Sequence, residues 1–159
     1  MSNAATYASK QILSATQILS LNTSPILVIP GQAGCIIDVV SVYFRYIHGS
    51  VAFNPGAHDS LVYYYGTPVN ASNTLKGVVT ATGFVDQAAD ESVWGSPGLV
   101  NNAAFSSNQS VPLSSVEGQG LYLSQYDTQD SFPTGANWTQ GNGQIAVFLR
   151  WAYISIGAL

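Results

Sequence analysis

Hydrophobic and polar positions alternate with a period of two along Gln144–Ile154. Ile145, Val147, Leu149, Trp151 and Tyr153 share one face of an extended strand. Gln144, Ala146, Phe148, Arg150, Ala152 and Ile154 share the other, which is half apolar with one charge. The stretch Cys35–Ile47 has the same character. Ile36, Val40, Val42, Phe44 and Tyr46 line one face, with Asp38 as an exception, and Ile37, Val39, Ser41, Tyr43 and Arg45 line the other. Shorter apolar runs at Thr16–Leu21, Ile26–Ile29, Leu61–Tyr65, Val78–Thr82, Ser110–Leu113 and Leu121–Tyr126 also predict strands. Turn residues separate them, including Asn22-Thr23-Ser24-Pro25, Pro30-Gly31 and Gly95-Ser96-Pro97-Gly98. The one helical turn predicted is Asp86–Val93, with Asp86 as its N-cap.

Many short strands at this spacing predict an all-β fold, an antiparallel β-sandwich of jelly-roll type over residues 16–159. Residues 1–15 are polar, with Tyr7, Ile12 and Leu13 as their large apolar side chains, and predict an extended N-terminal arm. Such an arm becomes ordered by adding a strand to a neighbour or packing in its groove, with those side chains as anchors. Antiparallel sheets usually alternate hydrophobic-in and polar-out, so two long strands apolar on both faces demand a cover. Either the loops 48–58 and 127–143 provide it or another subunit does. The residues expected to meet a partner are Tyr7, Ile12, Leu13, Ile37, Val39, Tyr43, Tyr63, Tyr65, Phe148 and Arg150.

Composition sharpens the picture. Only 8% of the 159 residues are charged, against about 25% in an ordinary soluble domain. Ser, Thr, Asn and Gln instead supply 49 residues, and these compete with a helix backbone rather than favour it. Four cations against eight acids leave a net charge of −4, too few to neutralise a nucleic-acid footprint or to seek an anionic membrane. The longest apolar run, Ile145–Leu149, is far short of the ~20 residues of a membrane helix, and no signal peptide is visible. Cys35 lies in an apolar run and predicts a buried, inert thiol rather than a disulfide or a metal ligand.

Catalytic patterns are lacking. His48, His58 and Asp59 flank one loop but read as solvated turn residues, and no Gly-x-Ser-x-Gly elbow accompanies the many serines. The carboxylates Asp86, Asp90 and Glu91, and Asp127 with Asp130, do not match a calcium-loop spacing. Gly118-Gln119-Gly120 and Gly141-Asn142-Gly143 read as turns before strands, not as a nucleotide loop. Sequons at Asn22, Asn70, Asn108 and Asn137 follow from an Asn- and Ser-rich composition. Tyr63-Tyr64-Tyr65 with Trp94 and Trp138 form the one aromatic set suited to stacking a sugar. The chain is expected to be neither an enzyme nor a cofactor carrier.

One order of pieces adds to this reading: Ile18-Leu19-Ser20-Leu21, then Pro25–Gly31, then Gly34 leading into Ile36–Val40. It continues with Asn108–Leu113 and Gly118–Ser124, and closes with Gly141-Asn142-Gly143-Gln144 before the last strand. This order resembles the small jelly-roll decoration (cement) proteins of tailed-bacteriophage heads, from which the long loop 127–141 departs. The resemblance implies a passive virion protein, a homotrimer on the capsid outer surface. There it would bind the major capsid protein and brace the shell against internal pressure. A tail, fibre or carbohydrate-reading receptor-binding module is the alternative.

Overall fold

Residues 6–13 run extended and pair along their whole length with the last strand of the same chain. The computed structural model describes residues 5–56, 60–66, 74–95, 98–99, 113–126 and 138–157. They form the strands β1 (Thr6–Leu13), β2 (Ile26–Ile29), β3 (Cys35–Ile47), β4 (Ser60–Tyr65) and β5 (Thr74–Thr80). β6 (Glu91–Gly95), β7 (Gly98–Leu99), β8 (Leu121–Tyr126) and β9 (Gln144–Ser155) follow, with one short helix, α1 (Ala15–Leu19), after β1. The first sheet has the order β1-β9-β3-β6 and the second β2-β8-β4-β5-β7, all neighbours antiparallel. With β7 set aside, each sheet takes four strands, and the chain repeatedly crosses between them before returning beside its start. That wrapping is the jelly-roll sandwich expected from the strand pattern.

The core lies between the sheets. Val42, Phe44, Tyr46, Ile145, Val147 and Leu149 of the first sheet pack against Leu61, Tyr63, Tyr65, Leu121 and Leu123 of the second. β4 is buried on both faces, because Val62 and Tyr64, which point away from the core, are as enclosed as their neighbours. That stretch of the second sheet is therefore covered on its outer side as well. The outer face of the first sheet, by contrast, stays open to solvent.

β3 does not keep one parity. Val39 faces Trp151 and Ser41 faces Arg150, so Val40 is an extra residue, a β-bulge opposite the uninterrupted β9. Before the bulge Cys35, Ile37 and Val39 point into the core; after it Val42, Phe44 and Tyr46 do. A single inserted residue exchanges the faces of a strand. This corrects the sequence reading, which placed Ile36 and Val40 with Phe44 and assigned Ile37 and Val39 to a partner. It also explains Asp38, which sits on the solvent side together with Val40.

Two element predictions are corrected as well. Thr16–Leu21 is not a strand, because residues 15–19 form α1. Ser14 caps it: Gln17 N–H donates to Ser14 Oγ, while the Gln17 side chain accepts from the Ser14 backbone N–H at 2.9 Å. Once that capping box starts a helix, Ile18 and Leu21 come onto one face and both are buried. The carbonyl of Ile18 accepts from Gln125 Nε2 at 2.6 Å, tying α1 to β8. Nor is Asp86–Val93 a helix. Asp86 Oδ1 accepts from Gly83 N–H at 2.7 Å in a turn, and Glu91–Gly95 is strand β6 against β3.

The arm is corrected over the described part of residues 1–15. Strand addition does occur, but onto this chain's own β9, so residues 6–13 belong to the sandwich. Leu13 is fully buried within it.

Candidate docking face

Four side chains form a row across the open face of the first sheet. The register sets Lys10 of β1 opposite Phe148 of β9, Phe148 opposite Tyr43 of β3, and Tyr43 opposite Trp94 of β6. Lys10 Nζ lies 5.5 Å from the Phe148 ring centre. Phe148 and Tyr43 have ring centres 5.5 Å apart, and Tyr43 and Trp94 4.9 Å apart. Trp94, on the edge strand, is 72% exposed, whereas a lone surface tryptophan normally hides most of its ring. Ile12, Val40 and Ile154 add further exposed apolar surface to this side of the sheet. Exposed apolar surface of this kind makes the face a candidate for docking.

Three of the four Lys and Arg residues, Lys10, Arg45 and Arg150, lie on the same face. Arg150 stands opposite Ser41 on one side of the aromatic row, and Arg45 opposite Ala146 and Ser92 on the other. Arg45 Nη2 donates to Asp90 Oδ2 at 3.2 Å, and Asp90 Oδ1 also accepts from the His48 backbone N–H at 2.9 Å. The His48 N–H first, and Arg45 second, hold the Asp90 carboxyl below its ordinary pKa of 3.8. These bonds tie the turn that leads into β6 to the end of β3.

Of the residues expected to meet a partner, Tyr43, Phe148, Arg150 and Ile12 are brought together here. Tyr7 is 46% exposed but lies at the core edge, stacked on Trp151 with ring centres 5.8 Å apart. Leu13, Ile37, Val39, Tyr63 and Tyr65 are core residues and are withdrawn from the site. Burial drives the Tyr63, Tyr64 and Tyr65 hydroxyls far above their ordinary pKa, as expected of rings removed from water. The sugar-stacking set is dismantled for the same reason, since Trp138 is buried too and Trp94 alone is open. Alternation through Glu91–Gly95 would have revealed Trp94 as a strand residue. Lys10 joins the face because its segment pairs with β9 instead of standing free as an arm.

No second centre of chemistry emerges among the described residues. No three His, Cys, Asp or Glu side chains gather there to hold a metal, and Cys35 is buried. His58 and Asp59 lie outside the described residues, as do Asp127 and Asp130. A wide-open cleft of about 360 Å³ is lined by Phe53, Asn54, Pro55, Thr82, Asp86 and Gln140 among others. Its one carboxylate, Asp86, is already engaged by Gly83 N–H and by Gln87 Nε2 at 2.8 Å. The two expected turn glycine pairs behave as such. Gly118 and Gly141 have positive φ, and a Cβ on Gly143 would meet the Ile47 carbonyl at 2.6 Å. Among the described residues no helix is long and apolar enough to cross a membrane. Compared with protein families, curated proteins and solved structures, the chain matches none.

Proposed function

We propose that the chain is a structural protein of a phage virion that decorates the head, docking through the outer face of its first sheet onto the major capsid protein. The observation that carries this reading is the row in which half-buried Phe148 and Tyr43 lead to the exposed ring of Trp94, with Ile12 and Val40 also exposed. A face of this kind suits lasting protein contact, because aromatic anchors supply much of the energy of an interface. A chain with only 8% charged residues also has little electrostatic repulsion to overcome at close packing. The jelly-roll wrapping agrees with the resemblance to head decoration proteins, and the trimeric state is taken from that resemblance. In this reading the partners are coat subunits and copies of the chain itself, on the outer surface of the capsid. No catalysis, cofactor, nucleic acid or membrane is involved.

The test uses heads of the phage that encodes the chain, assembled without it. Purified protein is added, the heads are sedimented, and the loaded particles are imaged by cryo-electron microscopy. Expected are density on the outer capsid with the first sheet turned to the coat, and rupture at a higher temperature than bare heads. Protein that stays in the supernatant, or that binds tails alone, overturns the reading.

A further inference from the structure

We infer that the surface covering this face carries carboxylates opposite Lys10 and Arg150 and a recess for the Trp94 ring; the inference rests on the docking reading above. Three of the four Lys and Arg residues of the chain, Lys10, Arg45 and Arg150, lie on the outer face of the first sheet. This is the cationic side of a chain whose net charge is −4. Arg45 is neutralised by Asp90. Lys10 and Arg150 have no ion pair among the described residues, and the Lys10 ammonium lies over the Phe148 ring. The other acid on this face, Asp38, stands opposite Ala152, one row beyond Arg150.

A partner that covers the aromatic row must also dehydrate these two cations. An apolar or basic surface would leave both charges buried and unpaired, which opposes binding. A surface with carboxylates satisfies them and fixes the register of docking. The ring geometry selects the kind of surface. Phe148 is inclined 49° to Tyr43, and Tyr43 50° to Trp94, so the row is corrugated and offers no flat platform for a run of sugar rings. Trp94 projects from the edge as a knob, and tryptophan and arginine are the residues that most often dominate a protein interface.

The sign of a substitution effect tests the idea on the same heads. Lys10→Met and Arg150→Met should each weaken binding about tenfold or more, as loss of a close charge pair does. Lys76→Met in the second sheet should leave it unchanged. Circular dichroism melting confirms that the variants fold. Carbodiimide treatment of loaded heads should join the Lys10 amine to an Asp or Glu of the coat, read by mass spectrometry. Methionine variants that bind as tightly as the parent, or more tightly, overturn the acidic partner while Trp94→Ala still abolishes binding. If Trp94→Ala binds normally, the face itself is not used and the docking reading fails. Micromolar binding of polygalacturonate that disappears in Trp94→Ala assigns the face to an acidic glycan and overturns the inference as well.

Discussion

Tyr65 of β4 donates its hydroxyl hydrogen to the carbonyl oxygen of Ile37 on β3, a bond that crosses the interior from one sheet to the other. Ile37 lies just before the bulge, so the bond ties the second sheet to the part of β3 where the faces are about to exchange. Tyr65→Phe keeps the ring and strands a buried carbonyl. We expect a loss of about 1–3 kcal/mol in urea unfolding. An unchanged midpoint would mean that the carbonyl finds water.

The bulge makes Val40 tolerant of replacement and intolerant of loss. Val40→Thr changes an exposed side chain and should stay within about 0.5 kcal/mol of the parent. Deleting Val40 instead removes the parity change and turns either Ile37 and Val39 or Val42 and Phe44 out of the core. Such a chain should not give a cooperative melt; a normal one would show that β3 carries no bulge in solution.

Removing residues 1–10 distinguishes an integral strand from a free arm. It strips most of β1 from β9 and takes Tyr7 off Trp151. Stability should drop by at least about 2 kcal/mol, the order found when large core side chains lose their packing. A truncated protein that melts with the full chain would restore the arm.

The two tryptophans of the first sheet should respond oppositely. Trp151→Ala hollows the core and should cost about 3–5 kcal/mol, whereas Trp94→Ala on the open face should cost less than about 0.5. Equal losses in thermal unfolding would contradict the assignment of faces.

Acid should loosen the turn into β6. A carboxyl whose folded pKa lies below its unfolded value stabilises the fold above the unfolded pKa, and that contribution fades as pH falls through the folded one. Asp90 is such a group, lowered from 3.8 by His48 N–H and Arg45. The parent should therefore exceed Asp90→Asn in urea midpoint at pH 7, and the gap should narrow as the pH falls below 3.8. A gap that widens in acid would show that the turn is held by something else.

Period two along Ile145–Tyr153 was enough to place the core face of β9, and turn signals were enough to suggest a sandwich. Where sequence reading strayed, a local device had overruled the period. The Ser14–Gln17 capping box turned an apparent strand into α1, and one extra residue at Val40 reversed half of β3. Neither leaves a mark in hydrophobicity alone, because Ile18 with Leu21 and Ile37 with Val39 are apolar in either arrangement. The docking row was half legible. Tyr43, Phe148 and Arg150 stood out as apolar or charged residues on a second face, but Lys10 and Trp94 joined them only through long-range pairing of β1 and β6.

Antiparallel pairing of β1 with β9 sets Thr6 beside Ala152, so the chain enters and leaves the sandwich at one corner. Its mechanical strength should therefore depend on direction. Tension between the two ends would peel the outer ladder open one residue pair at a time, beginning at Thr6 and Ala152. A push spread over the aromatic row would instead be shared by β1, β9, β3 and β6 together. A molecule gripped by its face can bear a load that would unravel it if it were held by its ends.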